Sequence, residues 1–109
     1  MSEMVARVRI PQTARRGDAV EIRAMIIHPM ESGFRLDNMG RPIARHIVES
    51  FTCTYDGQQV FRATLHPAVS TNPYFVFYLA ATHSADLLFT WTDDHGDVAR
   101  HTAYLTVAD

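Results

Sequence analysis

The stretch that decides the fold is Phe51-Thr52-Cys53-Thr54-Tyr55-Asp56-Gly57-Gln58-Gln59-Val60-Phe61. Phe51, Cys53 and Tyr55 alternate with Thr52 and Thr54, the period of a strand with one face turned to a core. Asp56-Gly57 supplies the pair that a tight type I′ turn asks to hold positive φ. Gln58 then begins a returning run that reaches Leu65. The reading is a hairpin spanning 46–65.

Outward from this hairpin the same pattern recurs. Upstream, Val5 to Ile10 is stopped by Pro11, and Arg16-Gly17-Asp18 reads as a turn. Ala19 to His28 follows, with Val20, Ile22, Ala24 and Ile26 on one face and Glu21 and Arg23 on the other. Pro29 ends it, because proline cannot donate to a ladder. Residues 30–45 form a long irregular loop with Gly33, Gly40 and Pro42, of the length that tends to carry function. Downstream, Tyr74 to Ala80 is apolar on both faces and is expected to lie centrally in a sheet. Leu87 to Thr92 puts Leu87, Phe89 and Trp91 on one face, Asp93 to Asp97 is a turn, and Val98 to Val107 closes the chain. The result is one all-β domain over 1–109, an immunoglobulin-like antiparallel β-sandwich of about seven strands. Alternating strand direction gathers the connections at 11–18, 56–57 and 81–86 at one end. Those at 29–45, 66–73 and 93–97 gather at the other, where loops on a rigid scaffold usually bind.

Composition narrows the function. The chain has 109 residues, 47% hydrophobic and 20% charged, with a net charge of -2. That is an ordinary globular balance without the basic face of a nucleic-acid binder. Arg7, Arg9, Arg15, Arg16 and Arg23 make the first quarter locally basic, on a face expected to be solvated. All ten basic residues are arginine. No apolar run is long enough to span a membrane, and Met1 to Arg9 has no apolar core of a signal peptide.

The sequence holds few residues arranged for chemistry. Cys53 shares parity with Phe51 and Tyr55, so it is expected in the core rather than as a nucleophile. The six histidines (28, 46, 66, 83, 95 and 101) show no close ligand spacing, so no metal and no cofactor are expected. One competing reading is a weak site where His28 and His66 converge. Asp93, Asp94 and Asp97 sit in one short turn and read as turn formers. No phosphate loop, nucleophile elbow or HExxH is present, so the chain is not expected to be an enzyme.

Several segments, in order, resemble one family. They are His28-Pro-Met-Glu-Ser-Gly33, Gly40-Arg-Pro-Ile43, Phe51-Thr-Cys-Thr-Tyr-Asp-Gly57, His66-Pro-Ala-Val-Ser-Thr-Asn-Pro-Tyr74 and Phe89-Thr-Trp-Thr-Asp-Asp94. Together they resemble SoxZ, the small subunit of the SoxYZ sulfur carrier of thiosulfate oxidation. The resemblance implies an immunoglobulin-like sandwich that pairs with SoxY as a heterodimer. In that family SoxY carries sulfur intermediates on a cysteine of a glycine-rich arm, presented in turn to the other Sox enzymes in the periplasm. The absence of such an arm here agrees with SoxZ rather than SoxY. The resemblance also implies export together with the partner. The partner-binding candidates are of two kinds. Met25, Ile27, Val48, Phe75 and Phe77 are apolar residues on strands. His28, Met30, Glu31, His66, Asn72, Asp93 and Asp94 lie at the loop end. The alternative is a generic immunoglobulin-like binding module with no sulfur role.

Overall fold

The computed structural model describes residues 4–69 and 71–109. The reading of the first three residues, and of Ser70 within the 66–74 motif, lies outside them. The elements are β1 (Val5–Arg9), β2 (Thr13–Arg15), β3 (Ala19–Ile27), β4 (Val48–Tyr55), β5 (Gln58–Thr64), β6 (Tyr74–Ala80), β7 (Ala85–Asp93) and β8 (Val98–Ala108). They form two sheets, one ordered β1-β3-β6 and the other β2-β8-β7-β4-β5. This is the expected all-β, immunoglobulin-like sandwich. The founding hairpin is there: Asp56 and Gly57 hold φ of 51° and 80°, and β4 pairs antiparallel with β5.

The core forms where the two inner faces meet. Val20, Ile22, Ala24 and Ile26 of β3 are buried on alternate positions, as are Phe51, Cys53 and Tyr55 of β4 and Leu87, Phe89 and Trp91 of β7. Aromatic rings bridge the sheets. Phe51 stacks on Phe75 with centroids 4.7 Å apart, and Phe61 stacks on Phe77 at 4.2 Å. Such pairs add to the area they bury.

Three expectations are corrected. An eighth strand, β2, is only three residues long and pairs parallel with β8, so the sandwich is not wholly antiparallel. Its signal is weak because it sits between Pro11 and the Gly17 turn, and its partner lies at the other end of the chain. Phe75 and Phe77 point inward, and Val48 is fully buried, so these belong to the core. Finally, β6 is not central. It is the edge of the three-stranded sheet, bonded among the described strands to β3 alone.

The ends are laced as the alternation requires. At one end Asp56 N–H donates to Asp86 C=O and Gly17 N–H to Ala81 C=O. There the Tyr55 hydroxyl donates to His83 C=O and accepts from the N–H groups of Thr82 and His83 at 3.3 and 3.1 Å. At the other end, His28, residues 46–47, Asn72 and the 93–97 turn meet.

Candidate functional site

Two regions carry features beyond what folding needs: the outer face of the β1-β3-β6 sheet and the loop end.

The outer face follows from register. Cross-strand partners share a face, so Arg7, Met25 and Tyr74 form one row, and Arg9, Arg23 and Val76 form the next. Val5 pairs with Ile27 and Glu21 with Tyr78 beyond them. Tyr74, Val76 and Tyr78 are 52%, 45% and 64% exposed, a continuous apolar edge on one strand. The Tyr78 hydroxyl donates to Glu21 at 3.0 Å, and Arg23 also pairs with Glu21. These bonds hold the carboxyl of Glu21 below the usual range, the Arg23 bond first. Of the strand candidates, Met25 and Ile27 do face outward here. The parity neighbours of Phe75 and Phe77, which are not among the sequence candidates, supply the rest.

A second apolar surface sits on the long loop. Residues 34–43 fold into a small arm, with Ile43 N–H donating to Arg35 C=O and Asp37 N–H to Arg41 C=O. Asp37 caps its tip by accepting from the N–H groups of Met39 and Arg41. Phe34, Leu36 and Met39 project from it, all more than half exposed.

The loop end is polar and knit from distant segments. Glu31 and His46 exchange backbone hydrogen bonds of 2.8 Å, which brings the two margins of the long loop together. Asn72, at φ 52°, accepts from His28 N–H through its Oδ1 at 2.8 Å and donates its own N–H to His28 C=O. The 93–97 turn docks on the same place. Asp94 accepts from Ile47 N–H and from the Arg45 guanidinium, each at 3.0 Å. Asp93 is buried, with Oδ1 taking the N–H groups of His95 and Asp97 and Oδ2 lying 2.9 Å from His46 Nε2. An ionised carboxylate only accepts, so the His46 ring donates here. Burial pushes the Asp93 carboxyl up, but the bonds from His46, Asp97 and His95 outweigh it and hold it below the ordinary aspartate value.

His28 completes the cluster. Its ring meets that of His46 edge-on at 4.6 Å, and His46 stacks on His95 at 3.8 Å. Met30 N–H donates to His28 Nδ1 at 2.9 Å, so a neutral ring carries its proton on Nε2. That Nε2 is buried without a hydrogen-bond partner among the described residues, and Asp93 Oδ2 is 4.0 Å away. Burial, ahead of repulsion by His46, lowers the pKa of the ring.

The loop end therefore unites His28, Glu31, Asn72, Asp93 and Asp94 of the sequence candidates. Met30 is near them but belongs to the core, its Sδ accepting from Val48 N–H at 3.2 Å. His66 is not in the cluster. It is exposed and lines a shallow groove with Arg45, Glu49 and Arg62. The pairing of His28 with His66 is replaced by His28 with His46. His46, His95 and Arg45 were missed because their partners are far away in sequence. The only available signal was a histidine at each margin of the long loop.

Residues 8–104 match the family described as sulphur oxidation protein SoxZ. The chain belongs to the SoxZ family. Membership implies a role in the Sox sulfur-oxidation system, which is typically periplasmic, as a generally non-catalytic carrier subunit with a SoxY partner. No curated protein matches this SoxZ-family chain in sequence. Among solved structures, the sulfur carrier protein SoxY from Chlorobium limicola f thiosulfatophilum is 12% identical with a TM-score of 0.70, covering 95% of this chain and 79% of that one. A superoxide reductase (neelaredoxin) from Ignicoccus hospitalis is 13% identical with a TM-score of 0.71, covering 94% and 80%. A putative superoxide reductase from Thermotoga maritima is 14% identical with a TM-score of 0.73, covering 95% and 86%. At such identities the likeness is one of fold.

Proposed function

We propose that this chain is the non-catalytic half of a SoxYZ-type sulfur carrier, pairing with a SoxY-type chain through the outer face of the β1-β3-β6 sheet. The observation that carries this reading is β6. A strand apolar on both faces normally has both covered, yet β6 lies at an edge with Tyr74, Val76 and Tyr78 open to solvent. A partner is the economical cover. The mixture also suits an interface, since tyrosine, methionine and arginine are enriched at such surfaces. Arg7 and Arg9 call for carboxylates opposite them, whereas Arg23 already holds Glu21.

In this reading the chain holds no sulfur itself. Cys53 is fully buried between the sheets, and burial pushes its thiol up to about 12. A thiol so placed yields no thiolate near neutral pH. The covalent chemistry belongs to the partner's cysteine arm, and this chain supports and presents it. We place the pair in the periplasm, exported together. The apolar arm with Phe34, Leu36 and Met39 is left for transient contacts with visiting Sox enzymes.

The test is co-expression with the SoxY-type chain of the same genome. The native chain should co-purify one-to-one. Val76→Arg puts a third cation beside Arg9 and Arg23 and should abolish pairing while the variant stays folded. A wild-type chain that remains monomeric would favour a generic binding module, and a Val76→Arg chain that pairs normally would move the interface elsewhere.

A further inference from the structure

We propose that His28, His46 and Asp93 form a binding site for a divalent first-row metal ion of the zinc type. The three residues offer ligand atoms that lie within 4.8 Å of one another, on the margins of the long loop and the start of the acidic turn. Two imidazoles and one carboxylate are a donor set that such ions accept, and three protein ligands leave a coordination position open.

The distances suit a shared ion. Zinc sits roughly 2.0–2.2 Å from nitrogen and oxygen donors, so two donors of a tetrahedral site lie about 3.4 Å apart, a value that the two separations here straddle. His46 Nε2 is 2.9 Å from Asp93 Oδ2, and His28 Nε2 is 4.0 Å from the same oxygen. The His28 side chain is 2% exposed, and its Nε2 has no hydrogen-bond partner among the described residues. A buried polar atom left this way calls for a partner. The neighbouring set of His46, Asp94 and His95 is a poorer choice, because Arg45 and Ile47 N–H already occupy the Asp94 oxygens. Asp93 is the better ligand, held in place by the two backbone N–H groups on Oδ1 while Oδ2 faces both rings.

Protons set one condition. In the metal-free state each of the two Nε2 atoms carries a proton; with the ion bound, each ring must keep its proton on Nδ1 instead. For His28 this sets Nδ1–H against Met30 N–H, which now donates to that nitrogen. Rotation of the Pro29–Met30 peptide resolves the conflict. It turns the Pro29 C=O toward Nδ1–H, the usual outer partner of a ligating histidine. It also takes Met30 out of the left-handed region, where it sits at φ 52° at a steric cost.

The experiment is zinc titration of the chelator-stripped full chain by calorimetry, with bound metal counted after dialysis. Wild type should retain one zinc per chain. His46→Gln, at a ring one-third exposed, should fold normally by circular dichroism and retain none, and Asp93→Asn should do the same if it folds. His66→Ala and His83→Ala should bind like wild type. In the ¹⁵N spectrum the Met30 amide should move on adding zinc to wild type but not to His46→Gln. Wild type that retains no zinc, or zinc that persists in His46→Gln, or zinc that is lost in His66→Ala, would overturn the proposal.

Discussion

Tyr74→Ala removes the largest side chain of the Arg7-Met25-Tyr74 row without touching the core. Tyr74 is 52% exposed in the free chain. An aromatic side chain buries some 150–250 Å² when fully covered, so a partner on this face would take about 100 Å² of it from water. At about 25 cal/mol per Å² this amounts to about 2.5 kcal/mol, or roughly a seventyfold change in Kd. Part of that is offset by ordering the ring and desolvating its hydroxyl, so the expected loss lies between roughly tenfold and seventyfold. The isolated chain should lose under about 1 kcal/mol, the range of strand propensity at an exposed site. The assay is calorimetric titration of the SoxY-type partner into each variant, with urea melts of the variants alone. Tyr104→Ala is the control. Tyr104 is 59% exposed but pairs with Asp86 on the five-stranded sheet, so its loss should leave affinity unchanged. An affinity for Tyr74→Ala within threefold of wild type, or an effect of Tyr104→Ala as large, would refute the reasoning.

Other outcomes follow from the same geometry. Phe77→Ala, at a ring 8% exposed and stacked on Phe61, should cost about 3–5 kcal/mol in urea unfolding, whereas the same change at an outward ring would cost far less. Cys53 should resist iodoacetamide at pH 8 until denaturant is added. Its thiol ionises near 9 when free and near 12 when buried, so the unfolded chain binds fewer protons between these values and stability should fall as pH rises from 9 toward 12. Cys53→Ala should cost on the order of 1–2 kcal/mol and leave sulfur loading of the complex intact. Tyr55→Phe deprives the Thr82 and His83 N–H groups of their acceptor and should lower stability by about 1–3 kcal/mol, read from the urea midpoint.

What the sequence makes legible is whatever depends on neighbours in the chain. The period of Phe51, Cys53 and Tyr55 marks a buried face, and Asp56-Gly57 marks the turn, because both are local. Strand β2 is not legible, since three residues carry little period and its parallel partner is β8. The position of β6 misleads for a physical reason. Apolar residues on both faces report only that both faces are covered or coverable, and the sequence does not say whether by this chain or another. Phe75 and Phe77 were for that reason candidates for the partner, while Tyr74, Val76 and Tyr78 turn out to face outward. The cluster of His28, His46 and Asp93 is invisible to spacing rules, because the fold draws its members from the two margins of the long β3–β4 loop and from the end of β7. Asn72 was named for its place in a loop, but its role as a clamp on the His28 backbone needs both ends of the contact in view.

The central claim is that the outer face of the β1-β3-β6 sheet is covered by a SoxY-type partner. Hydroxyl-radical footprinting of the free chain and of the complex tests it directly, since tyrosine rings report their own exposure. The account predicts that Tyr74 and Tyr78 become protected in the complex while Tyr104 does not change. Protection of Tyr104 with Tyr74 and Tyr78 still reactive would contradict it.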